Sequence, residues 1–152
     1  MMIWMDGDAC PKPIKAILFR AATRTQTHLT VVANHTVMIP PSPWMKTVCV
    51  PKTFDAADHY ITSHMQANDL VITADVPLAD TVVTNGGLAL NPRGELYSIN
   101  NIKSLLAARD RNECLRGAGL LRSGPKPLDA QDQQRFANQL DRLLSRVRRS
   151  HA

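Results

Sequence analysis

Short apolar runs alternate along the chain with stretches whose apolar positions recur at helical spacing. Met2-Ile3-Trp4-Met5 runs into Asp6-Gly7-Asp8 and reads as a buried strand entering a turn. Pro11 and Pro13 suit the first turn of a helix, which Ile14, Ile17, Leu18 and Ala21 carry to about Thr25. His28 to Ala33 is β-branched and predicts a second strand, Pro40-Pro41-Ser42-Pro43 a loop, and Thr47 to Val50 a third strand. A helix opens at Asp55 with Ala57, Ile61 and Met65 on its apolar side. Leu70 to Thr73 predicts a fourth strand leading to Asp75, Val76 to about Thr84 a short helix, and Leu88 to Leu90 a fifth strand.

Strands alternating with helices predict βαβ units, hence an α/β fold with a mostly parallel sheet and helices on both faces. After Asn91-Pro92-Arg93-Gly94 the pattern changes. Ile99 to about Arg116 and Asp129 to about Arg149 predict two further helices, joined by a loop rich in Gly, Pro and basic residues. Two helices alone make a poor core. The chain therefore reads as a single domain over 1–152, with a βαβ body over 1–98 and a helical, basic C-terminal extension over 99–152.

Composition agrees with one globular domain, at 152 residues and 44% hydrophobic. No apolar run approaches the roughly 18 residues of a membrane span. Asp6 and Asp8 interrupt the first apolar segment well short of secretory length, so no signal peptide is expected. Cys10, Cys49 and Cys114 form no Cys-x-x-Cys pair, which predicts reduced thiols and a cytoplasmic protein. Charge changes the picture more. Residues 1–100 carry 7 Lys+Arg against 8 Asp+Glu, whereas residues 101–152 carry 11 against 5. Eleven of the 13 acids are Asp, although Glu is the better helix former, so the carboxylates belong to caps, turns or sites.

In an open α/β sheet, ligands bind in the crevice at the C-terminal ends of the strands. The predicted order places Asp6 and Asp8 after the first strand, Asn34 and His35 after the second, Asp55 and Asp58 after the third and Asp75 after the fourth. Oxygen ligands of this kind suit Mg²⁺ or Mn²⁺. Each acid also has a structural alternative: Asp8 as a cap for the first helix, Asp55 with Asp58 as a capping box, Asp75 as an N-cap. Asp6, ending an apolar strand, has no helix to cap. Cys10 reads as a small packed residue, and His59 and His64 as helix-surface residues. Arg135, Arg142 and Arg149 recur every seven residues with Arg146 beside them. With Arg116, Arg122 and Lys126 in the preceding loop, they form either a phosphate-contacting stripe or an ordinary solvated face.

Five ordered motifs carry a resemblance: Ile3-Trp4-Met5-Asp6-Gly7-Asp8-Ala9-Cys10-Pro11, Asp55-Ala56-Ala57-Asp58, Asp69 through Ala79, Ala89-Leu90-Asn91-Pro92-Arg93-Gly94, and Arg135 through Asp141. From residue 3 to about residue 144 the chain resembles the YaiI/YqxD family of bacterial proteins. The resemblance implies a three-layer PIN-like fold, related to metal-dependent ribonucleases. It implies Asp6, Asp58 and Asp75 as catalytic acids binding Mg²⁺ or Mn²⁺, with Asp8 and Asp55 as supporting carboxylates. This chain departs from the family's usual residues at Gly7, at His59, where a second Asp is common, and at Ser123-Gly124-Pro125.

The expected function is a metal-dependent phosphodiesterase acting on RNA. Asn34, His35, Arg93, Arg116, Arg122, Lys126, Arg135 and Arg142 are the expected substrate-binding residues. No membrane partner is expected, and the oligomeric state stays open, with a homodimer as one option. Two rival readings are a non-catalytic RNA or nucleotide-binding module and a haloacid-dehalogenase-like phosphatase. The latter rests on Asp6-x-Asp8 and on the spacing of Asp75 and Asp80.

Overall fold

The computed structural model describes residues 1–8, 10–53, 55–107 and 128–150, with side chains in the last helix described through residue 145. Its elements in chain order are β1 (Met2–Asp6), α1 (Lys12–Thr25), β2 (His28–Ala33), β3 (Met45–Cys49), α2 (Ala56–His64), β4 (Leu70–Ile72), α3 (Val76–Thr84), β5 (Leu88–Leu90), β6 (Leu96–Tyr97), α4 (99–107, where the description breaks off) and α5 (Ala130–Ser150). The six strands lie in the order β3-β2-β1-β4-β5-β6. All pairings are parallel except β5 with β6, which are antiparallel.

Alternation along β1 divides the core into two layers. Ile3 and Met5 face one way and join Ile14 and Leu18 of α1 and Phe136, Leu140, Leu143 and Leu144 of α5. Trp4 faces the other way and joins Ile61 of α2, Leu78 and Val82 of α3 and Ile102 of α4. The result is a three-layer α/β fold. The two C-terminal helices thus serve opposite faces, and α5 carries Phe136, fully buried, into the same cluster as the first strand. No helix among the described residues is long and apolar enough to cross a membrane.

β6 was not expected from the sequence. Its two residues follow the turn Asn91-Pro92-Arg93-Gly94, in which the Asn91 N–H donates to the Glu95 carbonyl at 2.9 Å. The turn is docked onto α5. The Arg93 guanidinium donates to Asp132 Oδ2 at 2.6 Å, and Arg135 Nη1 reaches both Asp132 Oδ1 and the Arg93 carbonyl at 3.3 Å. The Asp129 N–H, foremost, and the two guanidinium groups hold the Asp132 carboxyl below its usual range.

Gly94 sits at φ +88°, and a Cβ there would stand 2.6 Å from the Arg135 carbonyl carbon and 2.7 Å from the Phe136 nitrogen. Gly86 has nearly the same φ, +87°, with its nearest neighbour at 3.4 Å. Gly86→Ala is expected to cost only the left-handed backbone penalty, about 1–2 kcal/mol. Gly94→Ala adds a backbone clash, for a total of at least ~3 kcal/mol. Urea unfolding of the two variants measures the difference.

Candidate functional site

β2 lies on one side of β1 and β4 on the other, so the strand order reverses there and opens the crevice in which such sheets bind ligands. Asp6 ends β1 and Asp75 follows β4, so the two acids flank that point. By alternation with Trp4, Asp6 faces the α2–α3 layer. Asp55 and Asp58 arrive with the first turn of α2. Asp55, Asp58 and Asp75 line a cleft of about 490 Å³ between α2 and α3. Thr62 and Thr81 line it further along the same two helices.

The other three carboxylates act on Asp58. Partial burial, then the charges of Asp75, Asp6 and Asp55, push the Asp58 carboxyl up to about 6, and His59 opposes them. Asp6 is 8% exposed and accepts the Asp8 N–H at 3.3 Å. Asp69, at the other end of the sheet, is equally buried but serves the fold: it accepts from Met2 N, Trp4 Nε1 and Gln66 N at 2.9–3.1 Å.

Of the three caps considered from the sequence, only Asp75 forms one. Its Oδ1 accepts the Leu78 N–H at 3.1 Å, while its own N–H donates to Thr73 Oγ1 at 3.0 Å. The Asp55–Asp58 capping box does not form. An N-cap residue needs extended backbone to aim its side chain at the first turn, and Asp55 sits in the left-handed region at φ 63° with no side-chain cap bond. Asp8 does not cap α1, whose N-cap is Pro11 without a side-chain bond. Asp8 Oδ2 instead accepts the Asn34 N–H at 3.0 Å, and Oδ1 lies 2.7 Å from His35 Nδ1. Asp8, Asn34 and His35 thus tie the loop after β1 to the loop after β2.

The structure therefore brings Asp6, Asp55, Asp58 and Asp75 together and sets the Asp8–His35 pair beside them. It holds Arg93 and Arg135 on Asp132, against α5. Arg142 is exposed on α5 and shares a shallow cleft with Arg135 and Gln134. Arg116, Arg122 and Lys126 lie outside the described residues, as does Cys114, and the side chains of Arg146 and Arg149 are not described. Burial, foremost, pushes the Cys10 thiol up to about 12, against Lys15 and with Asp6 adding, which makes it an inert packed residue.

Sequence reasoning passed over Thr62, Thr81 and Tyr97. Thr62 was within reach, since it stands four residues after Asp58 on the same helix face. Tyr97 was hidden with β6. Burial pushes its phenol up, against a hydrogen bond with Asn91, and the charges of Glu95 and Asp75 add to the shift. His59 is exposed and lines the cleft, while His64 stacks on Tyr60 with ring centroids 4.0 Å apart.

Among the described residues no group of three or more His, Cys, Asp or Glu side chains stands close enough to hold a metal ion between them. Mg²⁺ asks for less, since it keeps several waters and is commonly held through one or two carboxylates plus the substrate's own phosphate oxygens. A hard-oxygen set in which the neighbouring acids help push Asp58 up is of the kind that suits such an ion.

Fold and site together define a three-layer α/β protein with an acidic crevice at the switch point of its sheet. The chain belongs to the YaiI/YqxD family, described as "Uncharacterized BCR, YaiI/YqxD family", whose profile matches residues 4–146. It is 58% identical over 146 residues to a UPF0178 protein of Legionella pneumophila (strain Paris), covering 96% of this chain and 99% of the relative. It is 54% identical over 147 residues to a UPF0178 protein of Shewanella amazonensis, covering 97% and 99%. No solved structure gives a significant match.

The raised pKa makes ionisation of Asp58 unfavourable to folding. That part of the stability is present below the ordinary value of 3.8 and is lost as pH rises through about 6. Asp58→Asn is therefore expected to raise the melting temperature in EDTA at pH 7–8. The gain should shrink through the window from 6 to 3.8 and vanish below it. Thermal melts across that range check the sign.

Proposed function

We propose that the protein is a divalent-cation-dependent phosphodiesterase acting on RNA, PIN-like in the sense its sequence resemblance implies. The observation that carries this reading is the convergence of Asp6, Asp55, Asp58 and Asp75 at the sheet's switch point, with Asp58 pushed up to about 6 by its surroundings. Four acids from three separate stretches of the chain repel one another there, and a cation relieves that repulsion.

Asp6, Asp58 and Asp75 would hold Mg²⁺ or Mn²⁺ through one or two direct carboxylate bonds, the rest through the ion's waters, since no three of them stand close enough to ligate one ion directly, and Asp55 would add charge from the mouth of α2. When bound, the ion supplies the positive charge that phosphoryl transfer requires at the attacked phosphate. Asp75 keeps one oxygen on the Leu78 N–H, which fixes its orientation while the other stays available. Asp8 positions His35 at the mouth of the crevice. Phosphate contacts away from the acids fall to Arg142 and, from the sequence, to Arg116, Arg122 and Lys126, while Arg93 and Arg135 serve chiefly to dock α5.

A binding module that holds RNA without cleaving it has its own support, namely that no three acids among the described residues stand close enough to ligate one ion together. The phosphatase reading loses support. Both Asp8 oxygens are engaged, and α1 begins at Lys12, leaving little chain for the flap those enzymes insert.

Purified protein with Mn²⁺ is expected to cleave labelled RNA, with loss on EDTA addition. Asp6→Asn should lower the rate at least ~100-fold, the scale for losing a group that manages transition-state charge. Wild type cleaving no faster than Asp6→Asn would discard hydrolysis. Salt-sensitive RNA binding retained in Asp6→Asn and Asp75→Asn would then select the binding module.

A further inference from the structure

The cleft between α2 and α3 extends beyond the acids, and its chemistry changes along its length. On α2 it passes from Asp58 to Thr62, one turn or about 6 Å on; on α3 it passes from Asp75 to Thr81, six residues or about 9 Å on. Its remaining lining is His59, Pro77 and Leu78: an imidazole, a pyrrolidine ring and an aliphatic side chain. Carboxylates thus stand at the crevice end, hydroxyls further along, and flat or apolar groups beside them. Among the described residues no lysine or arginine lines it. At about 490 Å³ the space falls in the range of small-molecule sites.

We infer that this cleft is a nucleoside subsite, in which one nucleotide of the substrate lies with its phosphate at the acids, its ribose along Thr62 and Thr81, and its base stacked on His59 over Pro77 and Leu78. The inference rests on reading the acids as the phosphate-handling end. Each feature fits that occupant. With no lysine or arginine among the described lining residues, the phosphate's charge is met chiefly by a cation held by the carboxylates. The Thr62 and Thr81 hydroxyls donate to the carbonyls of Asp58 and Pro77, at 2.9 and 3.2 Å, so toward a ligand they present lone pairs, as acceptors for sugar hydroxyls. His59 is exposed, and an aromatic side chain beside apolar surface is a stacking platform for any base. Selectivity between bases is therefore weak, whereas selectivity for a base over none is strong.

The full chain in Mg²⁺, ¹⁵N-labelled and titrated separately with 5′-AMP and with ribose 5-phosphate, tests this by NMR. AMP is expected to bind roughly tenfold more tightly, the low end of what stacking one base contributes, and to shift the amides of Thr62 and Thr81. His59→Ala should bring the two affinities together, while His59→Phe should keep them apart. Because His59 is exposed, both variants should fold. Equal affinities in the wild type, no binding of either ligand, or an AMP preference that survives His59→Ala would each overturn the subsite. A His59-dependent AMP preference in a protein that cleaves no RNA would keep the subsite and discard hydrolysis.

Discussion

Parallel pairing is the constraint from which the rest of this molecule follows. A strand paired parallel to its neighbour must be reached by a crossover, so each loop that leaves a strand emerges on the same edge of the sheet. With β1, β2, β3, β4 and β5 all paired parallel, the acids after β1, β3 and β4 have nowhere else to go. Their mutual repulsion is a consequence of topology, which the fold tempers without removing. Asp75 gains a helix N–H, and Asp6 gains the Asp8 N–H. Asp69 stands in contrast, with three N–H donors around a single carboxylate.

Much of this was legible in the sequence because apolar runs and helical spacing are local signals. The five parallel strands and the helices between them fall within a few residues of their expected positions, and the convergence of the acids followed once strand order was assumed. What was not legible depended on backbone conformation or on distant partners. The left-handed backbone at Asp55 removes a capping box that its spacing suggested. Nothing local marks Leu96-Tyr97 as a strand, since two residues exist as β6 only because the turn before them lays them against β5. Arg93 and Arg135 read as free cations until Asp132, 39 residues from Arg93, is seen between them.

The two helical layers divide the labour. α2 and α3 start at the crevice and supply its walls, while α1 and α5 cover the opposite face with the larger apolar side chains. The turn at Asn91–Gly94 bridges the layers. It stands on the ligand edge beside β4, yet its arginine and its glycine are both committed to α5. The position of that edge is therefore set partly by a helix that contributes none of the four converging acids.

That arrangement has a consequence for how the chain comes into being. Phe136 and Leu140 share one apolar cluster with Ile3 and Met5, more than 130 residues earlier in the sequence. At about 5–20 residues per second, a ribosome exposes the partner face of β1 and α1 for many seconds before α5 is available to cover it. β1, made long before α5, is not sealed on this face until α5 arrives. The nascent chain therefore carries this apolar face uncovered until α5 emerges, and α5 acts as the closure that ends that exposure.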